Sequence, residues 1–408
     1  MTRSMLAVFT VVATMAAATG VASSPSQSQK THHCAKLTDA VKWQLTGFNA
    51  SFVRSYDHGQ SEKELPAGLA SSAFVYDNAL AAIALTACGE LTHATVIGNA
   101  LSLAVRKDRT FEDGRVRNAY RPGPVGEKAA ALPGWWDSKQ NHWAEDAAQD
   151  GTSTGNVAWA ALALLTLHQA TQQGSFLVDA MRLIDWVIFN VSSGSGFRGG
   201  FHGYDTQQER LAWISTEHNV DVYAAATWLF TLTGQQKYAD AASQARQFLE
   251  KAFDEDHFRL GTKPDGSLGD MLVLDVQLWP WMAVQDAPAQ WRSALRFAET
   301  HLAVEDGFDF NGDRDGLWVE GTAQASLAYL IAGDTLRSAR LLATLEADRT
   351  PSGYLNATRA ARISTGLSID PTKTEPDFFY FRRPHLGATA WATLAASAWN
   401  PFTGRKLD

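Results

Sequence analysis

Residues 215–223 carry the side-chain types that acid–base chemistry needs. This stretch holds two carboxylates, an imidazole, an amide and a phenol: Glu217, Asp221, His218, Asn219 and Tyr223. An apolar run over residues 224–232 follows directly and predicts that the polar group opens a helix. Because a helix N-terminus offers unpaired N–H groups and a partial positive charge, side chains there can face a ligand while the helix body is buried. The alternative is that Thr216 only caps the helix and Glu217 only complements its dipole.

The same arrangement, polar residues followed by an apolar segment, recurs along the chain. Alanine-rich apolar segments begin near residues 77, 156, 218, 275, 320 and 387. Amphipathic segments begin near residues 35, 92, 176, 236, 290 and 335 and alternate with them. Helices that are apolar all round are buried, whereas one-faced helices are peripheral. The pattern therefore predicts an all-α fold, a closed double-ring toroid of six inner and six outer helices.

In such a toroid the inner helices all start at one end, so their polar residues are expected to converge on one cleft. The residues expected near that end are Asp77, Asn156, Glu217, Asp275, Glu320 and Thr389. Several of them are carboxylates, the groups that most often work in pairs as general acid and base. For each carboxylate the alternative is a helix-capping or packing role.

Composition narrows the class of partner. The chain of 408 residues is 45% hydrophobic, enough for a large core, and its net charge of −8 comes without a long basic run. A nucleic-acid partner is therefore not expected, because its phosphates need clustered Lys and Arg. The 14 tryptophans suit core packing and sugar rings alike. Aromatic residues in loops before inner helices are the predicted ligand contacts: Trp135, Trp136, Trp143, Trp213 and Tyr380.

The N-terminus predicts export. Residues 1–23 combine Arg3, an apolar run and small residues at a cleavage region, as a secretory signal does. No later run is apolar and long enough to span a bilayer, so the protein is expected to be free of the membrane after the signal is removed. It is expected to be secreted or periplasmic. Residues 24–408 are expected to form one toroid domain. Cys34 and Cys88 can pair in an oxidising compartment.

The pattern resembles the six-hairpin glycosidase superfamily, the (α/α)6 toroids that include many glycoside hydrolases and some polysaccharide lyases. The likeness covers nearly all of residues 24–408 and is carried by four short stretches: residues 76–78, 216–219, 318–322 and 387–391. The chain lacks the paired Asp-Asp on an inner helix that some endo-mannanases of this superfamily have. One fold hosts many functions, so the resemblance predicts the fold more firmly than the activity.

The resemblance implies a glycoside hydrolase that acts on a poly- or oligosaccharide. Such an enzyme needs one carboxylic acid to protonate the leaving oxygen and one carboxylate to activate water or attack the sugar. Glu217 is the predicted acid, and Asp77 and Glu320 compete for the second role. No cofactor and no metal are expected. The predicted substrate-binding residues are His218, Asn219, Tyr76, Asn156, Asp275, Trp143, Trp136 and Tyr380.

Three alternatives remain open at this stage. A polysaccharide lyase would use His218, Asn219 and Tyr223 for β-elimination, with the charge of an arginine on the uronic carboxylate. A catalytically silent glycan-binding toroid is the second. The third concerns Glu320 alone, which is the twelfth residue of a calcium-loop pattern that begins at Asp309 and has Arg314 where the motif requires Gly.

Overall fold

The structure is a computed structural model that describes residues 26–57, 65–126, 128–370, 373 and 375–407. The predicted signal segment, residues 1–23, lies outside the described residues. The described helices are α1 (Gln27–Leu45), α2 (Ala67–Ala70), α3 (Val75–Cys88), α4 (Leu91–Arg106), α5 (Ala147–Asp150), α6 (Thr154–Thr171), α7 (Gly174–Asn190), α8 (Thr216–Thr233), α9 (Gln236–Ala252), α10 (Asp275–Ala283), α11 (Ser293–His301), α12 (Val319–Ile331), α13 (Thr335–Thr344) and α14 (Leu386–Ala396).

Six of these helices form a closed inner ring. Helices α3, α6, α8, α10, α12 and α14 each contact the next, and α14 contacts α3. The outer helices that pack on this ring are α1, α4, α7, α9, α11 and α13. Each of the last five contacts the inner helix that precedes it in the chain, and α1 contacts α14 and α3. The predicted all-α double-ring toroid is therefore confirmed, and each inner helix starts within two residues of its predicted position.

Helix α1 begins at Gln27, earlier than the predicted Ala35. Ser26 accepts a hydrogen bond from the Gln29 N–H, and the Gln29 side chain accepts one from the Ser26 N–H. This capping box stabilises a polar first turn that has no apolar pattern to reveal it. A disulfide between Cys34 and Cys88 joins α1 to the end of α3, with Cα atoms 5.6 Å apart.

Strands are short and lie in the connections between helices. Most form two-stranded pairs, and the largest sheet has four strands. The strands longer than two residues are Trp135–Asp137, His142–Ala144, Arg198–His202, Glu209–Ser215, Arg362–Ser364 and Phe379–Phe381. The two-residue strands are Ser51–Phe52, Ala73–Phe74, Ala119–Tyr120, Gly123–Pro124, Thr152–Ser153, Phe253–Asp254, His257–Phe258, Gly261–Thr262, Ala303–Val304, Gly307–Phe308, Leu355–Asn356, Pro384–His385, Trp399–Asn400 and Arg405–Lys406. In the part of the chain that the structure describes, no helix is long and apolar enough to cross a membrane.

A recurring hydrogen bond attaches each of five inner helices to the segment that follows the preceding outer helix. A polar side chain in the first turn of the inner helix accepts a backbone N–H of that segment. Asn219, for example, accepts from Phe197 N–H at 2.9 Å and donates to Phe197 C=O at 3.1 Å. The five side chains are Asn78, Asn219, Gln277, Thr322 and Thr389. These bonds satisfy buried backbone groups and fix how each hairpin sits in the ring.

Replacing Asn219 by Ala is expected to destabilise the fold by about 2–5 kcal/mol. The change leaves the buried N–H and C=O of Phe197 without partners, and each unsatisfied group costs about 1–3 kcal/mol. Urea denaturation measures the loss. The control is Asn99→Ala, which removes one surface hydrogen bond to the Asn49 carbonyl and should cost under about 1 kcal/mol. Equal losses in the two variants would contradict the scaffold role.

Candidate active site

Three inner helices bring their first residues together at one end of the ring. Asp77 lies in the first turn of α3, Glu320 in that of α12, and His385 directly before α14. His385 Nε2 is 3.6 Å from Asp77 Oδ2, and His385 Nδ1 is 3.6 Å from Glu320 Oε2. All three side chains are buried. The structure thus unites the two carboxylates that competed for the role of base.

The start of α14 is shaped to admit these carboxylates. His385 caps the helix, because its Nδ1 accepts the Ala388 N–H at 3.2 Å. Gly387 follows, and a Cβ there would lie 2.6 Å from Asp77 Oδ1 and 2.7 Å from Glu320 Oε2. Only glycine therefore lets both carboxylates approach this helix N-terminus, where a negative charge is favoured.

A hydrogen-bond chain holds one oxygen of Glu320. The Tyr76 hydroxyl donates to Glu320 Oε1 at 2.7 Å and accepts from Trp391 Nε1 at 2.8 Å. Gln324 makes a longer bond of 3.4 Å to the same Oε1. Glu320 Oε2 has no hydrogen-bond partner among the described residues. The carboxyl group is thus oriented through Oε1, whereas Oε2 is a buried oxygen without a hydrogen bond.

Further carboxylates extend this group into a carboxylate cluster, made of Asp77, Glu217, Asp221, Asp275 and Glu320. Burial, and then the negative charges of Asp275 and Glu320, raise the pKa of Glu217 well above its ordinary value. Burial and the charges of Glu217 and Asp275 do the same to the pKa of Asp221. Burial and like charge thus favour the protonated forms of Glu217 and Asp221.

Other members of the cluster titrate close to neutrality. Burial is the main cause that raises the pKa of Glu320 to about 7, with Asp77 adding to it and His385 opposing it. Burial likewise raises the pKa of Asp275 to about 7. Burial lowers the pKa of His385, but Asp77 and Glu320 outweigh it and the net shift is upward. His385 acts in the opposite sense to Asp77 and lowers the pKa of Glu320.

Two predicted substrate-binding residues form hydrogen bonds within the scaffold. The Asn219 amide forms hydrogen bonds with the backbone of Phe197 and Ser215. Asn156 accepts the Tyr76 N–H at 3.1 Å and donates to Asn118 Oδ1 at 2.8 Å, which ties the start of α6 to the start of α3. Both amides thus bond within the protein, and a role for either in substrate binding stays a prediction.

The other residues predicted near the cleft differ in how they are held. Tyr76 acts on Glu320 through its hydroxyl, and the Tyr380 ring lies 6.0 Å from that of His385. His218 is buried against Gly155 and lies 5.6 Å from the ring of Trp213. Burial lowers the pKa of His218 to about 4, so the imidazole is neutral at physiological pH.

The tryptophans of the 135–144 hairpin lie in a different place. Trp136 and Trp143 face each other across the two strands and are 59% and 45% exposed. Trp143 and Trp135 line a cavity of about 600 Å³, and the residues that line it include no member of the carboxylate cluster. The role of these tryptophans as subsites of the cleft stays a prediction.

Among the described residues, two groups of side chains have metal-ligand spacing. The donor atoms of Asp77, Glu320 and His385 lie within 4.8 Å of one another. His385 already uses Nδ1 to cap α14 and directs Nε2 at Asp77, so this group fits proton transfer better than metal binding. Asp309, Asp313 and Asp315 form the second group. Glu320 bonds to Tyr76 rather than to this loop, which corrects the interpretation of Glu320 as a twelfth calcium ligand.

Sequence reasoning did not select several residues that the structure brings to this site. His385, Gly387, Gln324 and Trp391 all contact the Asp77–Glu320 pair or the Tyr76 hydroxyl that orients it. A signal for His385 was present, since it precedes the last apolar segment just as Ser215 precedes α8. Both side chains accept the N–H three residues on.

Comparison with known proteins identifies the fold. No protein-family model matches the chain. Among curated proteins, the modulator protein MzrA of Klebsiella pneumoniae subsp. pneumoniae is 33% identical over 110 residues, which are 23% of this chain and 84% of that protein. This likeness spans less than a quarter of the chain and does not account for the twelve-helix ring.

Solved structures match over almost the whole chain. A wild-type glycosidase covers 91% of this chain and 98% of its own, with a TM-score of 0.62 and 10% identity. The GH76 alpha-mannanase of Bacteroides thetaiotaomicron covers 90% and 95%, with a TM-score of 0.59 and 13% identity. A sugar epimerase from a ruminal bacterium covers 90% and 98%, with a TM-score of 0.60 and 15% identity. These likenesses, at 10–15% identity, show that the chain shares the helical toroid fold of these proteins.

Proposed function

We propose that this protein is a secreted glycoside hydrolase that acts on a poly- or oligosaccharide. Glu217 is its general acid, and Glu320 or Asp77 is the carboxylate partner. The observation that carries the proposal is the carboxylate cluster, in which burial and like charge favour the protonated form of Glu217 while Glu320 and Asp77 offer a carboxylate partner. This is the division between acid and base that glycoside hydrolysis requires.

Each side chain has a defined part in the proposed reaction. Glu217 gives its proton to the glycosidic oxygen as the bond to the sugar breaks. Glu320 Oε2, which lacks a partner within the described protein, activates water or attacks the sugar. Tyr76 holds the opposite oxygen of Glu320, and His385 Nε2 lies 3.6 Å from Asp77 Oδ2. Asp77 takes the partner role if the substrate approaches from its side.

The lyase alternative has weaker support. A lyase binds a uronic carboxylate and must neutralise its charge, yet the groups that act on Glu217 are Asp275 and Glu320, both acidic. Asn219 is engaged by the scaffold. Tyr223 lies near enough to Arg246 on the outer helix α9 to affect the pKa of that residue. A catalytically silent toroid has no need of shifted carboxyl groups at one end.

Secretion is part of the proposal. The disulfide between Cys34 and Cys88 supports it, because such bonds persist in oxidising compartments outside the cytosol. A neutral carbohydrate is the expected partner, since no Lys or Arg is among the described groups that act on Glu217 and Glu320 and could pair with an anionic one.

Incubation with polysaccharides tests the proposed activity. We expect new reducing ends from a neutral glycan, such as starch or mannan, and no product from polygalacturonate. Ultraviolet absorption by an unsaturated sugar end would instead show a lyase. Binding without either product would support a silent glycan-binding toroid.

A further inference from the structure

We propose that the cavity beside the 135–144 hairpin is a second binding site, for a neutral glycan, separate from the carboxylate cluster. The inference rests on the proposed function only in taking a carbohydrate as the ligand class. The cavity, here called the aromatic cavity, measures about 600 Å³. Its walls include Trp135, Trp143, Tyr204, Gln140 and His142. Aromatic faces with a few convergent hydrogen-bonding groups are the usual lining of a small-molecule or sugar site.

The aromatic side chains of this site are unusually open to solvent. Trp143 and Tyr204 are each 45% exposed, and Trp136, opposite Trp143 on the hairpin, is 59% exposed. Large aromatic side chains normally bury most of their area, so several exposed together indicate a surface that a ligand covers.

An ion-pair network holds the cavity walls in place. Arg109 bonds to both oxygens of Glu145 at 2.8 and 2.7 Å, and to both oxygens of Asp205 at 3.0 and 2.9 Å. Glu145 follows the strand of Trp143, and Asp205 follows Tyr204. The buried Arg117 adds a bond of 2.8 Å to Asp205. Bidentate Arg–carboxylate pairs fix geometry, so the two aromatic walls are preorganised and lose little entropy on binding.

The charges of the cavity select the kind of glycan. Asp137, Glu145 and Asp205 line it, and the one arginine among its lining residues is already bound to two of them. Asp137 accepts the backbone N–H groups of Lys139 and Gln140. The surplus negative charge disfavours uronic or sulfated sugars and leaves neutral sugars as the ligand.

The position of the cavity indicates its use. From the hairpin the chain runs through α5 and Thr152–Ser153 into the start of α6, at the end of the ring where the carboxylate cluster lies. A polymer held in the aromatic cavity therefore stays close to the cluster, which raises the effective concentration of its other segments there. Short oligosaccharides gain nothing from such a site.

The test compares Trp143→Ala with Trp43→Ala. Trp43 is 60% exposed on the outer helix α1 and serves as the matched control. Affinity electrophoresis in soluble starch, mannan and polygalacturonate measures binding, without any need for hydrolysis. We expect at least about fivefold weaker binding of a neutral polysaccharide by Trp143→Ala, unchanged binding by Trp43→Ala, and no binding of polygalacturonate by any form.

Several results would overturn the inference. One is that the wild-type protein binds neither starch nor mannan. Another is that the Trp143→Ala variant binds these polysaccharides as tightly as the Trp43→Ala variant does. An equal loss of activity on short and long substrates in Trp143→Ala would make Trp143 a cleft subsite instead. If Trp143→Ala does not fold, Tyr204→Ala replaces it. Binding that depends on Trp143 without any hydrolysis would support this site and contradict the proposed hydrolase.

Discussion

Glu217→Gln is expected to lower turnover on the natural glycan by about a hundred- to ten-thousand-fold. General acid assistance is worth that much, and glutamine keeps the size of the side chain but cannot deliver a proton. The rate of reducing-end release at saturating glycan measures the effect. Circular dichroism and the melting temperature should show an intact fold. Helix α8 is capped by Ser215, so the change at Glu217 removes no capping hydrogen bond.

Glu250→Gln is the matched control for this substitution. Glu250 lies on the outer helix α9, where it pairs with Arg246, and its replacement should leave turnover unchanged. Nearly full activity in Glu217→Gln would reduce Glu217 to a residue that complements the helix dipole. The acid would then have to be one of the other members of the carboxylate cluster.

The second large effect is on stability against pH. The pKa of Glu320 is about 7 in the folded protein and about 4.5 in the unfolded chain. Between these values the folded state holds a proton that the unfolded state has released, so the free energy of unfolding falls as pH rises from about 4.5 to about 7. At 1.36 kcal/mol per pKa unit, the loss from this group is on the order of 3 kcal/mol. Above pH 7 it does not grow further.

Glu320→Gln should remove this penalty, because glutamine has no proton to lose. Urea denaturation at pH 5 and pH 8 is expected to show a variant that is more stable than the wild type at pH 8 and nearly equal to it at pH 5, while its activity is impaired. Glu250→Gln should follow the wild type at both pH values. A Glu320→Gln variant with the wild-type pH dependence would show that Glu320 is not buried against like charge.

The two rings could be predicted because the distribution of apolar residues around each helix shows whether the helix is buried on all sides or on one face. Inner helices such as α6 and α14 are apolar on every side, whereas α9 buries only one face. Helix starts were equally visible where a polar residue precedes an alanine run, as at Asp77 and Glu320. The start of α1 was missed since its first turn depends on a polar capping box.

The chemistry at the helix starts was harder to predict. The contact of His385 with Asp77 depends on which inner helices adjoin across the closing point of the ring, and residue type alone does not reveal it. Asn219 is a residue type that often contacts ligands. Its scaffold role is recognised only because Asn78, at the matching position of another inner helix, makes the same hydrogen bond to the backbone. Trp143 was expected in the cleft, and the structure places it in the lining of a cavity that also includes Arg109 and Glu145.

The most direct measurement of the central claim is the rate of Glu217→Gln on two substrates that differ only in the leaving group. One is a glycoside of the sugar that the wild type releases, with an alcohol as leaving group, and the other carries dinitrophenolate, which departs without protonation. If Glu217 is the general acid, the variant should lose at least about a hundredfold on the first and stay within about tenfold of the wild type on the second. Equal losses on both substrates would contradict the account.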